Sequence, residues 1–178
     1  MHYLARTRAF FSIAILALYF LTGCTITPKA VDGVQLQPVE GLLVLKCSSN
    51  ASAFLSYLEF NSESTFGSRF QENLVGAKGG IRFEEGEKYV VIPLKAGDYM
   101  WSKLTLGNRY AWLQSSNKFH IHPNSITYIG DIRLFISSEK FKLTVTNRSE
   151  SMRDYIKQNY PKYFESLSFE TAIADLNL

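Results

Sequence analysis

Between about Val34 and Thr146 the chain repeats one pattern: a short run rich in Val, Ile, Leu, Tyr, Phe or Thr, then a cluster of turn-forming residues. The runs are "GLLVLKCS", "AFLSYLEF", "KYVVIPL", "DYMWSKLTL", "KFHIH", "SITYIGDIRLFI" and "KFKLTVT". Between them stand "EEGE" at Glu84–Glu87, "KAGD" at Lys95–Asp98, "GN" at Gly107–Asn108 and "HPNS" at His122–Ser125. Short β-rich runs bounded by such clusters read as strands joined by turns. No segment between them carries a helical period. The pattern therefore predicts a mainly β fold, an antiparallel β-sandwich of about seven strands, with a barrel as the other arrangement that hides strand edges. Gly97 suits a tight turn that needs a positive φ. Gly130, inside a strand run, marks a bulge or a close backbone approach. The stretch "STFGSRFQENLVGAKGG", residues 64–80, reads as a long loop.

After Val145 the period changes. Asn147, with Glu150 three residues on, has the spacing of a capping box, and Met152, Tyr155 and Ile156 follow at helical spacing on one face. Pro161 ends that helix and is suited to begin another, in which Tyr163, Phe164 and Leu167 share a side. Two short C-terminal helices are expected within about residues 147–175, packed across the sheet or closing one end of it.

The N-terminus is organised differently. Arg6 and Arg8 precede an apolar run from Ala9 to Leu21, interrupted by Ser12. Its 13 residues fall short of the roughly 20 needed to span a bilayer but match a secretory signal. The run closes on "LTGC", Leu21 to Cys24, which resembles the lipobox of bacterial lipoproteins. That resemblance implies cleavage after Gly23, with Leu21, Thr22 and Gly23 as recognition positions. It also implies a diacylglyceryl thioether on Cys24 and acylation of the new amino group. One acyl chain holds a protein only marginally, whereas two or more hold it durably. Residue 25 is Thr and not the Asp that often retains such proteins in the inner membrane, so the resemblance implies the periplasmic face of the outer membrane. The expected organisation is a signal peptide at 1–23, a lipidated Cys24 with a tether to residue 33, and a single domain from 34 to 178.

Cleavage leaves 155 residues, enough for one hydrophobic core. It also removes two of the 19 basic residues, leaving 17 against 16 acidic ones. A near-neutral body without a clustered basic face offers nothing for nucleic acid. Lipidation consumes Cys24, so Cys47 is an unpaired thiol: a buried, inert one, or a reactive one for which no basic or histidine neighbour in sequence speaks. If Cys24 carried no lipid, a Cys24–Cys47 disulfide would be open in an oxidising compartment.

Catalytic signatures are missing. The chain has no GxSxG, HExxH, Walker A or CxxC motif, and no cofactor is expected. Lys78 among the glycines of "GAKGG" lacks a strand–loop–helix frame and reads as a surface loop. Glu84, Glu85 and Glu87 crowd one turn, where they read as solvated. Two constellations remain. His120 and His122 share a strand face and are the candidate metal ligands for zinc or copper, with Asp131 a conceivable third donor; alternation with Phe119 and Ile121 inward is the plainer explanation. Tyr99, Trp101, Tyr110 and Trp112 are candidate stacking platforms for sugar rings such as those of peptidoglycan, against the plainer reading that they fill the core.

The segments "VVIPLKAGDYMWSKLTLG" and "FHIHPNSITYIGDIRL" resemble small β-sandwich modules of uncharacterised bacterial lipoproteins. Gly97 and Tyr99 match one strand start, and Tyr128, Ile129, Gly130 and Asp131 a middle strand. The resemblance implies the fold and no activity. Together these features lead to the expectation of a non-catalytic, lipid-anchored envelope module whose partners are the membrane, through its lipid, and an envelope protein or peptidoglycan. The alternative is a small periplasmic enzyme or metal-binding protein using the His120/His122 face.

Overall fold

The computed structural model describes residues 29–59, 77–113, 118–137 and 140–176. In chain order these form β1 (Glu40–Ser49), β2 (Ala53–Glu59), β3 (Gly79–Phe83), β4 (Gly86–Lys95), β5 (Gly97–Leu106), β6 (Arg109–Trp112), β7 (Lys118–Ile121), β8 (Ser125–Ile136), β9 (Phe141–Thr146), helices α1 (Ser149–Asn159) and α2 (Pro161–Ser166), and β10 (Ser168–Thr171). The mainly β sandwich with two short helices is what the chain adopts. All seven runs read as strands are strands. Three more, β3, β6 and β10, are also strands, and β3 begins at Gly79, inside the stretch 64–80 expected to be loop, whose residues before 77 lie outside the described residues.

The strands divide into two five-stranded sheets. In the first, β4, β1 and β8 lie side by side, and β10 and β9 share the far edge of β8. In the second, β3, β2 and β5 lie side by side, and β7 and β6 share the far edge of β5. The β1–β8 and β8–β10 pairs are parallel, so the first sheet is mixed and not purely antiparallel. Sequential hairpins cannot produce such pairs, because each needs a crossover of a dozen or more residues.

Between the sheets lies the main core, which includes Leu43, Leu45, Tyr57, Phe83, Trp101, Leu104, Phe119 and Ile129. The opposite face of the first sheet is also covered. There Met152, Ile156, Tyr160 and Tyr163 of the helical segment pack on Leu42, Val44, Val91, Ile126 and Tyr128. A strand buried on both faces reads as a continuous apolar run, which explains why "LLVL" in β1 does not alternate. The helices thus pack across the sheet, as one of the two expected arrangements has it.

Two details of the helical region differ from expectation. Asn147 does not cap α1 in a box: its Oδ1 accepts from the Ser149 N–H at 3.1 Å, and Arg148 at the N-cap position makes no side-chain capping bond. The helices also end at Ser166. Beyond them the chain returns to the first sheet as β10, where backbone pairing with β8 outweighs any local preference.

The segment before β1 is docked. The Ala30 N–H donates to the Val91 carbonyl on the outer edge of β4 at 2.8 Å. Pro93 lies two residues on, so its missing N–H falls on that same open edge, where a proline is tolerated. Asp32 accepts from the backbone N–H groups of Lys162 and Tyr163, and the Tyr163 hydroxyl donates to the Val34 carbonyl at 2.7 Å. Residues 29–33, expected to be tether, are therefore part of the folded body: an acid at the first turn of α2 satisfies donors that the helix itself leaves open.

Candidate functional site

A β-bulge in β8 creates the most distinctive surface feature. Val44 pairs with Tyr128 and Lys46 with Asp131, so Ile129 and Gly130 together oppose a single residue, Leu45. Gly130 takes φ 113°, and a Cβ there would lie 2.4 Å from Cγ1 of Val145. The extra residue returns Asp131 to the face that Tyr128 occupies. On that face the first sheet changes character along its length. Leu42, Val44, Ile126 and Tyr128 lie under the helices; Lys46, Ser48, Asp131 and Arg133 lie beyond them.

Those four residues, with Glu87 of β4, Thr144 and Thr146 of β9, and Arg148 before α1, line a cleft of about 120 Å³. Its carboxylates are already engaged. Lys46 Nζ stands 2.7 Å from Glu87 Oε2. That contact is the leading cause that raises the lysine above its ordinary range and holds the glutamate below its own, so both partners stay charged. The Tyr128 hydroxyl donates to Asp131 Oδ1 at 2.8 Å and accepts the Arg148 N–H at 3.1 Å. Burial, and then the bond to Asp131, push the Tyr128 phenol well above its ordinary value, so it remains a donor. The guanidinium groups of Arg133 and Arg148 have no ion-pair partner among the described residues.

The histidine pair sits elsewhere, at the start of β5 and the end of β7. His120 Nδ1 lies 2.6 Å from Asp98 Oδ1, His122 Nε2 lies 3.6 Å from Glu170 Oε2, and the two rings are 4.2 Å apart. Phe119 and Ile121 point into the core, as alternation requires. Asp131 serves Tyr128 and does not join the histidines. Among the described residues no three His, Cys, Asp or Glu side chains gather as a metal site.

The four aromatic candidates divide into two pairs, because β5 carries a bulge of its own. Tyr57 pairs with Trp101 and Ser56 with Lys103, which leaves Ser102 as the extra residue. Tyr99 and Trp101 consequently face the core, 2% and 0% exposed, packed with Tyr57 and Phe119. For these two the platform reading is corrected: they are core. The Trp101 indole N–H is buried without a partner among the described residues. Past the bulge, Lys103 pairs with Trp112 and Thr105 with Tyr110, on the outer face of the second sheet. Tyr110 is 59% exposed and meets Trp112 edge-to-face, with the Lys103 ammonium 5.1 Å from the Trp112 ring centre.

Cys47 is 2% exposed, and burial pushes its thiol up to about 12, so it is the inert thiol of the two alternatives. Glu84 faces Lys88, and Lys78 faces Glu59. Leu21, Thr22, Gly23 and Cys24 lie outside the described residues. No helix among the described residues is long and apolar enough to cross a membrane.

Sequence reasoning did not single out Lys46, Arg133 or Arg148. A signal existed for the first two: "LLVLKCS" and "YIGDIR" both turn polar at alternate positions towards their ends. Compared with family models, with curated proteins and with solved structures, the chain matches none.

Proposed function

We propose that this protein is a lipid-anchored module of the bacterial cell envelope, fixed through Cys24 at the periplasmic face of the outer membrane, and that it binds or scaffolds without catalysing a reaction. The motif "LTGC" is the starting point. The observation that carries the reading furthest is the docking of residues 29–34 through Asp32, Tyr163 and Val91. Five residue steps separate Cys24 from Lys29. At about 3.5 Å each they reach no more than about 17 Å, so a lipid on Cys24 seats the body directly on the headgroups.

Val31 and Val34 of the docked segment and Val39 just before β1 are each more than half exposed. Exposed apolar groups of this kind suit an interface with a bilayer. The charged cleft lies close to this docking point, because Ala30 bonds to Val91, which pairs with Val44, two residues from Lys46.

Intact-mass and peptide mass spectrometry of the envelope-derived protein tests the anchor. The expected result is a chain beginning at Cys24 and carrying diacylglycerol with a third acyl chain. A Cys24→Ser version is expected to keep its signal and to lose sedimentation with envelopes. A bare sulfur on Cys24, or unchanged processing and sedimentation of the variant, overturns the reading.

A further inference from the structure

We infer that the cleft at the open end of the first sheet binds a phosphate group, held between the guanidinium groups of Arg133 and Arg148. The inference rests on the reading of this protein as a binding module and names the class of its ligand.

The charge assignments in the cleft carry the argument. Of its two carboxylates, Glu87 already has Lys46 and Asp131 already has the Tyr128 hydroxyl. Of its three cations, Lys46 is paired at 2.7 Å, whereas Arg133 and Arg148 form no close ion pair among the described residues and act on Glu87 only at longer range. Three cations thus line the cleft against two carboxylates, and the two without a close acid are planar guanidinium groups whose geometry suits an oxyanion. Ser48, Thr144 and Thr146 add hydroxyl donors to its wall. The volume, about 120 Å³, is roughly four water molecules' share of liquid. That admits a phosphate group.

Its supports are rigid. Lys46 and Ser48 stand on β1, and Arg133 on β8, both central strands of the sheet. Arg148 is tied by its own N–H to the Tyr128 hydroxyl, which also holds Asp131. The Gly130 bulge sets the register of Asp131 and Arg133 against Lys46 and Ser48. Both arginine side chains are exposed at the cleft mouth, so exchanging them removes charge without opening the core.

The test uses the full chain in neutral detergent at constant ionic strength, titrated with inorganic phosphate and followed by calorimetry and phosphorus NMR line width. Saturable binding in the millimolar range is expected, with acetate weaker. Arg133→Gln and Arg148→Gln are each expected to weaken it about tenfold, while Arg82→Gln, an exposed arginine of β3, leaves it unchanged. Circular dichroism and thermal unfolding verify that each variant is folded. No saturable isotherm overturns the inference, as does an R133Q/R148Q double variant that binds like the parent. A loss matched by Arg82→Gln overturns it too, because the effect is then general charge. Acetate bound as tightly as phosphate overturns the choice of phosphate, and displacement by phosphatidylglycerol in the micelle overturns a soluble ligand in favour of a headgroup. The lipid on Cys24 is read separately by mass, so a lipidated chain that ignores phosphate sinks this inference and leaves the anchor standing.

Discussion

The outward face of the first sheet is two surfaces built on the same strands. Towards the start of β1, Leu42, Val44, Val91, Ile126 and Tyr128 are buried beneath α1, α2 and Tyr160. Farther along, Lys46, Ser48, Glu87, Asp131 and Arg133 face solvent around a cleft. The dividing line is drawn by length. Eleven residues of α1 span about 16 Å, whereas twelve residues of β8 extend about 40 Å. A helical layer that short covers half a sheet, and the uncovered half must be polar. Stacked rings of Tyr89 and Tyr155, centroids 3.6 Å apart, mark the border. Lys46 and Cys47 make the same point on adjacent residues of one strand: the lysine reaches the open face, and the thiol enters the core between the sheets.

Removing the cover altogether has the largest expected effect. A chain ended after Asn147 bares the apolar half and also loses β10; it is expected to be insoluble or without a cooperative thermal transition by circular dichroism. A truncated body as soluble as the parent breaks the comparison. Thinning the cover is milder. Ile156 is 0% exposed, and Ile156→Ala should lower stability by about 3 kcal/mol in urea unfolding. Next comes the bulge where the two halves meet. Gly130→Ala places a Cβ against Val145 at a φ that L-residues rarely adopt; a loss of about 2 kcal/mol is expected. Adding Val145→Ala should relieve the collision and leave the backbone strain.

Alkali sharpens the contrast within β1. The Cys47 thiol ionises near 9.0 when free but is held up to about 12 by burial. Between those values the unfolded chain has released a proton that the folded chain retains, so stability falls as pH rises. The expected slope is about 1 kcal/mol per pH unit between roughly pH 9 and 10, and is reduced there in Cys47→Ala; above pH 10 the raised Tyr99 and Tyr128 phenols add their own loss. The smallest effect belongs to the open half, where Thr144→Ala should change urea stability by less than about 0.5 kcal/mol. A larger loss means that the cleft wall is structural and the comparison drawn too sharply.

Legibility followed the range of the interaction. Seven strands and most turns could be read because alternation and turn residues act over a few positions; "KAGD" and "HPNS" lie where the chain passes from one sheet to the other. The residues that face solvent could not be read so simply. Tyr99, Trp101, Lys103 and Thr105 are all odd-numbered, yet Ser102 is inserted between the two pairs. One extra residue exchanges faces for everything beyond it, so Tyr110 and Trp112 lie outward while Tyr99 and Trp101 fill the core. Gly130 signalled the equivalent event in β8, but not which residues it would bring together. Both bulges fall where two short edge strands meet: β7 and β6 along β5, β10 and β9 along β8. β10 itself was hidden, because four residues after a helix carry no period of their own.

From its residues alone the chain determined its class: strand-length apolar runs, glycine and proline turns, and a helical period after Val145. These are local properties, written within a dozen neighbouring positions. Tertiary structure decided which sheet each strand joins, the parallel partners of β8, the docking of Asp32 on α2 some 130 residues away, and the meeting of Arg133 with Arg148 beside Lys46. Such contacts depend on register, and one inserted residue shifts a register without disturbing the composition or period by which a strand is known.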